Sequence, residues 1–278
     1  MDLKFLKGCK KVHFIGIGGI GMSALAFILR EWNIAVKGSD LGENYLTPKL
    51  KDAGVEYIIG HYSENIDDEV DLVVKTSIIK DDNPEIITAK VRNIEIITRA
   101  QLLAIIMASY KPITLAGTHG KTSTTAITAL VLEAGKLDPT VVNGGVINYY
   151  GANSKIGNGE YIVAESDESD GSFVDLPSYI GAVTNIEPEH LDCKIYDGDF
   201  SKQREFFVRY ISQIPQNGLC ALCVDSDEVQ KIYEEISADH KQLLTYSIEK
   251  DADIKAYNIV NSYDGLIFDV IFKDGRKL

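Results

Sequence analysis

Basic residues and long apolar runs are scarce in this sequence of 278 residues. Lys and Arg number 28 against 41 Asp and Glu, which gives a formal net charge of −13. Such a chain is repelled by the phosphate backbone of nucleic acid and by anionic lipid. No apolar run approaches the roughly 20 residues of a membrane-spanning helix, and the N-terminal residues lack the layout of a signal peptide. We therefore expect no nucleic-acid partner, no membrane partner and a cytoplasmic location.

Cysteine is also scarce: the sequence has Cys9, Cys193, Cys220 and Cys223. The last two form a lone C-x-x-C inside an apolar, strand-like run. A zinc site would need a second pair, and a redox site would need a suitable helix N-terminus. We predict ordinary reduced thiols, as is usual in the cytoplasm.

Strand-like and helix-like stretches alternate along the chain, beginning with KVHFIGI and IGMSALAFILREW. Such alternation predicts an α/β fold with a parallel, doubly wound sheet. The pattern restarts at KPITLAG, so we place one domain at residues 1–110 and a second at residues 111–278. The final stretch predicts a β-hairpin with a turn at YDG. Because the chain stops after a second turn, at KDG, we expect a strand partner to be missing and the sequence to be a fragment.

The first of two glycine-rich turns, GIGGIG, joins the first strand-like run to the first helical run. Gly16, Gly18 and Gly21 form G-x-G-x-x-G, in which glycine lets backbone amides approach a pyrophosphate at a helix start. Asp40 follows the next strand, where a carboxylate can bond a ribose hydroxyl. The motif predicts a Rossmann-like nucleotide site. It leaves open NAD, a UDP-sugar or a purely structural turn.

The second glycine-rich turn, AGTHGKTSTTA, lies between a strand-like run and a helical run of the second domain. Its G-K-T core is typical of a phosphate loop, in which Lys121 reaches the outer phosphate oxygens and Thr122 offers a hydroxyl to Mg²⁺. Only two residues separate Gly117 from Gly120, fewer than in the usual loop, so the match is partial. The flanking strand and helix favour a P-loop-type α/β domain that binds ATP over a threonine-capped helix start. One turn would then hold a nucleotide-tagged substrate and the other would hold ATP.

Two acidic segments follow later strand-like runs. EYIVAESDESDGSF carries Glu165, Asp167, Glu168 and Asp170, and VTNIEPEHLD carries Asn185 and His190 among further acids. Strand ends of an open α/β sheet meet at one edge, so we expect both segments near the ATP loop. Carboxylates there predict Mg²⁺ ligands, with solvated loops as the alternative. For His190 the residues alone leave a ligand role and a structural role equally open.

Together these motifs resemble the Mur ligases of peptidoglycan synthesis. The resemblance rests on GIGGIGMSALA, TSIIKDDNPE, RAQLLA, AGTHGKTSTTA, VAESDESDGSF and TNIEPEHLD. The shortened loop is the form that this family uses. The resemblance implies ATP-dependent ligation of L-alanine to UDP-N-acetylmuramate through an acyl phosphate. A ligase of the same family that recycles murein tripeptide is the nearest rival.

The resemblance also implies roles for individual residues. The UDP-sugar site would comprise Gly16, Gly18, Gly19, Gly21, Asp40, His61, Thr76, Ser77 and Arg99. The ATP site would comprise Gly117, Thr118, His119, Gly120, Lys121, Thr122 and Ser123. The catalytic residues would be Lys121, His119, Asn185 and His190. Two Mg²⁺ ions would be held by Thr122, Glu165 and His190.

Mur ligases have a third domain that these residues do not include, so we expect this chain alone to be inactive. Several members carry a carbamylated lysine near the second metal ion. The helix FSKQREFF offers Lys202, but Glu205 stands at the comparable place, and we predict no modification.

Three other interpretations remain. An NAD-dependent oxidoreductase would explain the first turn and Asp40 but not the second loop or the acidic segments. A truncated chain could bind ligand without turnover. A generic P-loop kinase fits poorly with the short loop.

Overall fold

The computed structural model describes residues 2–76, 78–169, 171–240, 242–263 and 265–278. The α-helices are α1 (Leu3–Gly8), α2 (Ile20–Glu31), α3 (Thr47–Asp52), α4 (Pro84–Val91), α5 (Arg99–Met107), α6 (Lys121–Ala134), α7 (Phe200–Ser212) and α8 (Asp227–Ile236). The first strands are β1 (Lys11–Ile15), β2 (Ala35–Asp40), β3 (Glu56–Ile59), β4 (Val70–Lys75), β5 (Glu95–Thr98), β6 (Lys111–Ala116) and β7 (Thr140–Ile147). The later strands are β8 (Ala152–Lys155), β9 (Tyr161–Glu165), β10 (Ile180–Val183), β11 (Leu219–Cys223), β12 (Leu243–Ser247), β13 (Ile254–Ser262) and β14 (Gly265–Phe272).

The chain divides into two compact units. The first comprises Met1–Pro112, Thr125–Glu165 and Asp175–Pro177. The second comprises Ile113–Thr124, Ser166–Val174 and Ser178–Leu278. Because the units interleave along the chain, they do not test the single domain boundary predicted near residue 111, which stays a prediction.

The first unit contains a five-stranded sheet in the order β3-β2-β1-β4-β5. Every neighbouring pair in it is parallel, and β1 pairs with both β2 and β4. The strand order therefore reverses direction at β1, and ligands of open α/β sheets bind at the carboxyl end of such a switch point. The predicted α/β class and doubly wound parallel sheet are confirmed here.

Burial explains why β1 lies at the centre of this sheet. Val12, Phe14 and Ile15 have no exposed surface, so both faces of the strand are covered. Helix α2 contributes Leu25 and Ile28 to the same core cluster as Val12 and Phe14. Near-continuous apolar strands are what a parallel sheet covered on both faces requires.

Three more strands of the first unit lie in the order β9-β7-β8. Strand β7 is parallel to β9 and antiparallel to β8. The sequence reasoning did not predict β8, whose residues ANSK are polar. Its Asn153 is buried and donates a hydrogen bond of 2.6 Å from Nδ2 to the carbonyl of Ile20, which gives this polar strand a place in the core.

The second unit has the strand order β14-β13-β12-β11-β10-β6. Strands β6, β10, β11, β12 and β13 pair in parallel. The pairing of Ala116 with Val183 brings the loops after β6 and β10 side by side. Phe173 and Phe207 are fully buried in the core cluster of this unit.

The predicted hairpin is confirmed, since β13 and β14 pair antiparallel with Ser262 opposite Gly265; Asp264 of its turn lies outside the described residues. The expectation that a strand partner is missing after the KDG turn stays a prediction, since only an isolated bridge follows the turn in the described chain. Lys277 bridges Ile271, and Leu278 exchanges two backbone hydrogen bonds with Val270. A short return segment therefore covers part of β14.

No helix within the described residues is long and apolar enough to cross a membrane. All four cysteines are free. Cys220 is buried on β11, and burial raises the pKa of its thiol to about 12. Cys220 thus lies in the core, and the reduced state of the thiols stays a prediction.

Candidate functional site

The first glycine turn follows β1 directly and begins α2. Gly16 has a φ of +85°, a conformation that favours glycine. The amides of Gly16 and Ile17 donate to the carbonyl of Ser39 at 2.8 and 3.1 Å, which fastens the turn to β2. Gly19 is the N-cap of α2 and supplies no side-chain cap. The start of this helix is therefore formed by backbone amides alone, as in an anion site.

Three residues of the predicted UDP-sugar site lie against three different glycines of this turn. Asp40 Oδ2 accepts a hydrogen bond of 2.8 Å from the amide of Gly18. A Cβ atom added to Gly21 would lie 3.0 Å from Cδ of Arg99, and one added to Gly16 would lie 3.8 Å from the methyl group of Thr76. Sequence-distant residues are thus gathered around the turn. Ser77 lies outside the described residues.

Asn44 also holds the turn, although the sequence reasoning did not select it. Its Nδ2 donates to the carbonyl of Gly18 at 2.8 Å, and its Oδ1 accepts from the amide of Leu46 at 2.9 Å. Gly18 is therefore held through its amide by Asp40 and through its carbonyl by Asn44. Nothing in the local pattern LGENYL marks Asn44, because the contact spans 26 residues.

His61 is joined to this region through a buried carboxylate that the sequence reasoning also missed. Glu85 has no exposed surface and lies within 3.0 Å of His61 Nδ1. Burial alone would raise the pKa of Glu85, but His13, Asn65 and Ser39 hold it below its ordinary value through hydrogen bonds and the charge of His13. The pattern NPEI resembles an ordinary capped helix start, in which an acid in the first turn is usually exposed.

The second glycine loop connects β6 to α6. Gly117 has a φ of +129°, and a Cβ atom there would lie 2.1 Å from Thr184 Oγ1. Gly120 has a φ of +81° with open space around its Cα. Both positions therefore need glycine for conformation, and Gly117 also needs it for space.

The loop is fastened to the segment after β10, as the strand pairing predicts. The amide of His119 donates to Asn185 Oδ1 at 2.8 Å, and Asn185 Nδ2 donates back to the carbonyl of His119 at 3.0 Å. The amide of Thr118 donates to the carbonyl of Asn185 at 3.0 Å. His119 and Asn185, both predicted as catalytic, are thus brought together, with the Asn185 amide holding the loop backbone.

The side chain of His119 is half exposed and lies beside two acids. Its Nε2 is 3.5 Å from a carboxylate oxygen of Glu187 and 3.4 Å from one of Glu189. Contacts of this kind at an exposed surface contribute little to stability. Their effect is to hold the imidazole ring of His119 beside the loop.

Lys121 begins α6 and is almost completely buried. Its Nζ lies 2.7 Å from a carboxylate oxygen of Glu168 and donates to the carbonyl of Thr118 at 3.0 Å. Burial raises the pKa of Glu168, and the charge of Lys121 opposes that rise. Glu168, which the acidic pattern marked as a Mg²⁺ ligand, is therefore the ion-pair partner of the loop lysine in this structure.

The predicted metal ligands are placed as follows. Glu165 ends β9, and its Oε2 accepts a hydrogen bond of 2.9 Å from the amide of Gly144. Thr122 is the second residue of α6, and His190 is exposed with a left-handed φ of +55°. No group of three His, Cys, Asp or Glu side chains with metal-binding geometry occurs among the residues that the structure describes. The metal assignments stay predictions.

The remaining members of the two acidic segments and the loop have ordinary surroundings. Asp167 accepts hydrogen bonds from the amide and hydroxyl of Ser169, and Asp170 lies outside the described residues. Ser123 is exposed on α6. Lys202 lies 3.7 Å from a carboxylate oxygen of Asp197.

Comparison with known proteins places the whole arrangement in one family. Residues 11–111 match "Mur ligase family, catalytic domain", and residues 115–277 match "Mur ligase middle domain". A UDP-N-acetylmuramate–L-alanine ligase of Chelativorans sp. (strain BNC1) is 44% identical over 262 residues, which are 94% of this chain and 55% of the relative.

Two solved structures are also similar. The UDP-N-acetylmuramate–alanine ligase of Thermotoga maritima has a TM-score of 0.83 at 28% identity, over 96% of this chain and 59% of its own. A UDP-N-acetylmuramate:L-alanyl-γ-D-glutamyl-meso-diaminopimelate ligase of Neisseria meningitides has a TM-score of 0.84 at 24% identity, over 97% of this chain and 86% of its own, and supports the fold alone. The chain thus spans little more than half the length of the curated relative above. The middle-domain match, residues 115–277, covers more than half of this chain. The chain therefore belongs to the Mur ligase family.

Proposed function

We propose that this chain supplies the UDP-N-acetylmuramate and ATP sites of an ATP-dependent UDP-N-acetylmuramate–L-alanine ligase in peptidoglycan precursor synthesis. The observation that carries the proposal is the loop at the start of α6, where Lys121 is held 3.0 Å from the loop carbonyl of Thr118. Relatives that bear this enzyme name are 41–44% identical to the chain, which supports the choice of substrates. We place the reaction in the cytoplasm, the usual location of ATP-dependent precursor synthesis.

The reaction needs activation because a carboxylate is anionic and a poor electrophile. The lactyl carboxylate of UDP-N-acetylmuramate attacks the γ-phosphorus of ATP, an acyl phosphate forms, and ADP leaves. The amine of L-alanine then attacks the acyl carbon, loses a proton and displaces phosphate. Phosphoryl transfer depends mainly on positioning and on neutralising charge, which is what a loop of backbone amides and a lysine provide.

In this proposal the residues of the second loop divide the work. The ammonium group of Lys121 moves away from the carboxylate of Glu168 and contacts the β- and γ-phosphates. The backbone amides from Gly117 to Ser123 bind the phosphate chain. His119 and Asn185 would lie close to the reacting groups. Their reciprocal hydrogen bonds, which fix the loop backbone at its exposed end, support this assignment.

Mg²⁺ is the metal that the donor set fits. Thr122 supplies a hydroxyl and Glu165 a carboxylate, both hard oxygen donors, and His190 is accessible at the surface. Mg²⁺ keeps several waters and substrate phosphates in its coordination shell, so it does not need three protein ligands in one cluster. When bound, the ion would neutralise negative charge on the phosphates; we propose two ions in all.

The UDP-sugar would bind at the first glycine turn. Gly16, Gly18, Gly19 and Gly21 would face the pyrophosphate, with Asp40 beside the ribose. His61, Thr76, Ser77 and Arg99 would line the rest of the site; Asp40, Thr76 and Arg99 lie next to the turn, which supports their assignment.

Calorimetric titration of the chain with UDP-N-acetylmuramate tests this proposal, with NAD as the competing ligand. Binding of the UDP-sugar without binding of NAD is the expected result. NAD binding alone would contradict the ligase assignment and favour an oxidoreductase. The double variant Lys121→Met, Glu168→Gln is the control, because it changes only the second loop and its ion-pair partner. It is expected to bind the UDP-sugar as the parent chain does.

A further inference from the structure

A fully buried carboxylate lies directly beneath the first glycine turn and has no part in the function described so far. Glu85 Oε1 is 3.1 Å from His13 Nε2 and 2.7 Å from Asn65 Nδ2. Its Oε2 is 2.7 Å from Ser39 Oγ and 3.0 Å from His61 Nδ1. Each carboxylate oxygen therefore has two partners, which is the full capacity of an ionised carboxyl group.

The number of available hydrogens determines how His61 is protonated. An ionised carboxylate only accepts, so each partner must supply a hydrogen. The Ser39 hydroxyl has one hydrogen, and its contact with Glu85 uses it. Ser39 Oγ also lies 2.9 Å from His61 Nδ1, and in that contact it can only accept. His61 Nδ1 therefore carries a proton that it shares between Ser39 and Glu85.

The protonated Nδ1 determines the character of the other ring nitrogen. In the neutral ring Nε2 carries the lone pair and can accept a hydrogen bond. The side chain of His61 is 14% exposed, and within the described residues no hydrogen-bond partner of Nε2 is found. His61 thus has one nitrogen fixed in the protein and one nitrogen left for a ligand.

The same cluster is connected to the glycine turn through the backbone. Ser39 donates its hydroxyl to Glu85, while its carbonyl accepts the amides of Gly16 and Ile17. Asn65 adds a second connection, since its Nδ2 also donates to the carbonyl of Gly60, next to His61. A change at Glu85 is therefore transmitted to the turn and to His61 by direct hydrogen bonds.

We propose that Glu85 is a positioning residue of the nucleotide-sugar site, which fixes His61 with its proton on Nδ1 and leaves Nε2 to accept a hydrogen bond from a donor group of the uridine nucleotide. The proposal rests on the proposed function for its ligand. The proton on Nδ1 follows from the hydrogen-bond geometry and is measurable without any ligand. The two parts can therefore fail separately.

The first measurement is the ¹⁵N NMR spectrum of the imidazole rings in the free 278-residue chain. The sequence has five histidines, and a His61→Asn variant assigns the signal of His61. We expect the Nδ1-protonated tautomer in the parent chain and a shift towards the Nε2-protonated tautomer in Glu85→Gln. Glutamine replaces one carboxylate oxygen by an NH2 group, which only donates. With that group at the place of Oε2, His61 Nδ1 loses its acceptor on residue 85. A parent chain with the proton on Nε2 would overturn the proposal.

The second measurement is the affinity for UDP, which also contains the uridine and diphosphate groups. In Glu85→Gln we expect about tenfold weaker binding, the effect of one hydrogen bond. His13→Leu is the matched control, because it removes one donor to Glu85 but does not touch His61. It is expected to lose stability while His61 keeps its tautomer and UDP binding changes by less than about twofold.

His61→Asn keeps the test decisive if Glu85→Gln does not fold. The asparagine amide can still donate to Glu85, but the variant has no atom at the place of Nε2, so we expect a folded chain with about tenfold weaker UDP binding. Unchanged UDP affinity in either folded variant overturns the positioning role. A parent chain that shows the Nδ1 tautomer but does not bind UDP would contradict the proposed function and the ligand role of Nε2, while the Glu85–His61 geometry would stand.

Discussion

The ammonium group of Lys121 and the carboxylate of Glu168 lie 2.7 Å apart, and neither side chain has more than a tenth of its surface exposed. Two opposite charges are therefore removed from water together at the start of α6. Such a pair costs desolvation, and its attraction offsets that cost only while both partners are present. The ion pair and the hydrogen bond to Thr118 therefore hold the side chain of the loop lysine in one place.

Replacement of Lys121 by methionine is expected to destabilise the chain by about 3–5 kcal/mol, because it leaves Glu168 as an uncompensated buried charge. Denaturant unfolding at neutral pH measures the change. The double variant Lys121→Met, Glu168→Gln removes both charges and is the control. Recovery of most of the lost stability is expected, and equal destabilisation of the single and double variants would contradict the ion-pair interpretation.

Alanine at Gly117 is expected to be more harmful than alanine at Gly120. Both residues have a left-handed φ, which costs an alanine about 1 kcal/mol, but only at Gly117 would the new Cβ atom lie 2.1 Å from another side chain. The expected loss in unfolding free energy is about 1 kcal/mol for Gly120→Ala and more than twice that for Gly117→Ala. Similar losses in the two variants would show that the side chain of Thr184 moves away from the new Cβ atom at little cost in free energy.

Asp40→Ala is expected to weaken UDP-N-acetylmuramate binding by about 1–2 kcal/mol, the scale of a hydrogen bond to a charged group. Asp40→Asn is the matched control, since its amide oxygen can still accept from the amide of Gly18. Calorimetric titration of both variants separates the ligand contact from the support of the turn. Parent-like affinity in Asp40→Ala would remove Asp40 from the ribose site.

Glu85 is expected to make the first unit sensitive to acid. Its pKa in the folded chain lies below the ordinary value of 4.5, so the unfolded chain binds its proton at a higher pH. The stability that Glu85 contributes is present above pH 4.5 and is lost as the pH falls through the folded-state pKa.

Thermal unfolding at neutral pH and at acid pH tests that sign. We expect the acid-induced fall in Tm to be smaller in Glu85→Gln than in the parent chain. Glu168→Gln is the comparison, because the pKa of Glu168 is raised and its contribution has the opposite dependence on pH. An equal fall in Tm in the parent chain and in Glu85→Gln would contradict the assignment.

Glu165→Ala, tested in a ligase that joins this sequence to a third Mur ligase domain, is expected to lower ligation in a way that excess Mg²⁺ partly restores. The loss of one carboxylate weakens a magnesium site without removing the phosphate ligands of the ion. Activity as a function of Mg²⁺ concentration is the measurement. Activity equal to that of the parent at every concentration would exclude Glu165 from the metal site.

Local pattern was sufficient to predict the two glycine turns and the sheet that carries the first. The turns need φ angles that favour glycine, and buried strands need apolar runs. Both features can therefore be predicted from residues that are neighbours in the sequence. Asp40 was predictable for the same reason, because the spacing from turn to strand end is nearly fixed in such units.

Long-range contacts explain what the sequence reasoning missed. The local sequence predicts that Glu85 is an exposed acid in the first turn of a helix. In the structure Glu85 is buried, and it contacts His13, which is 72 residues away in the sequence. Glu168 lies in a run of acids that all look alike, and burial alone singles it out as the partner of Lys121. Strand β8 is polar and gains its place from Asn153, whose bond to Ile20 spans 133 residues.

Because the amide of Gly18 donates to Asp40, any anion that binds at this amide competes with the carboxylate of Asp40. One amide hydrogen cannot serve two acceptors at full strength, so an anion that binds at Gly18 must first displace the carboxylate of Asp40. In the proposed complex the displaced carboxylate then accepts from the ribose. The net gain in binding free energy is then the difference between two hydrogen bonds, and not the full free energy of one. A weakly basic ion such as chloride gains little from that exchange, whereas a diphosphate, which contacts several amides at once, gains from each of the others. The hydrogen bond to Asp40 would therefore make the turn selective for anions that contact several of its amides over those that contact only one.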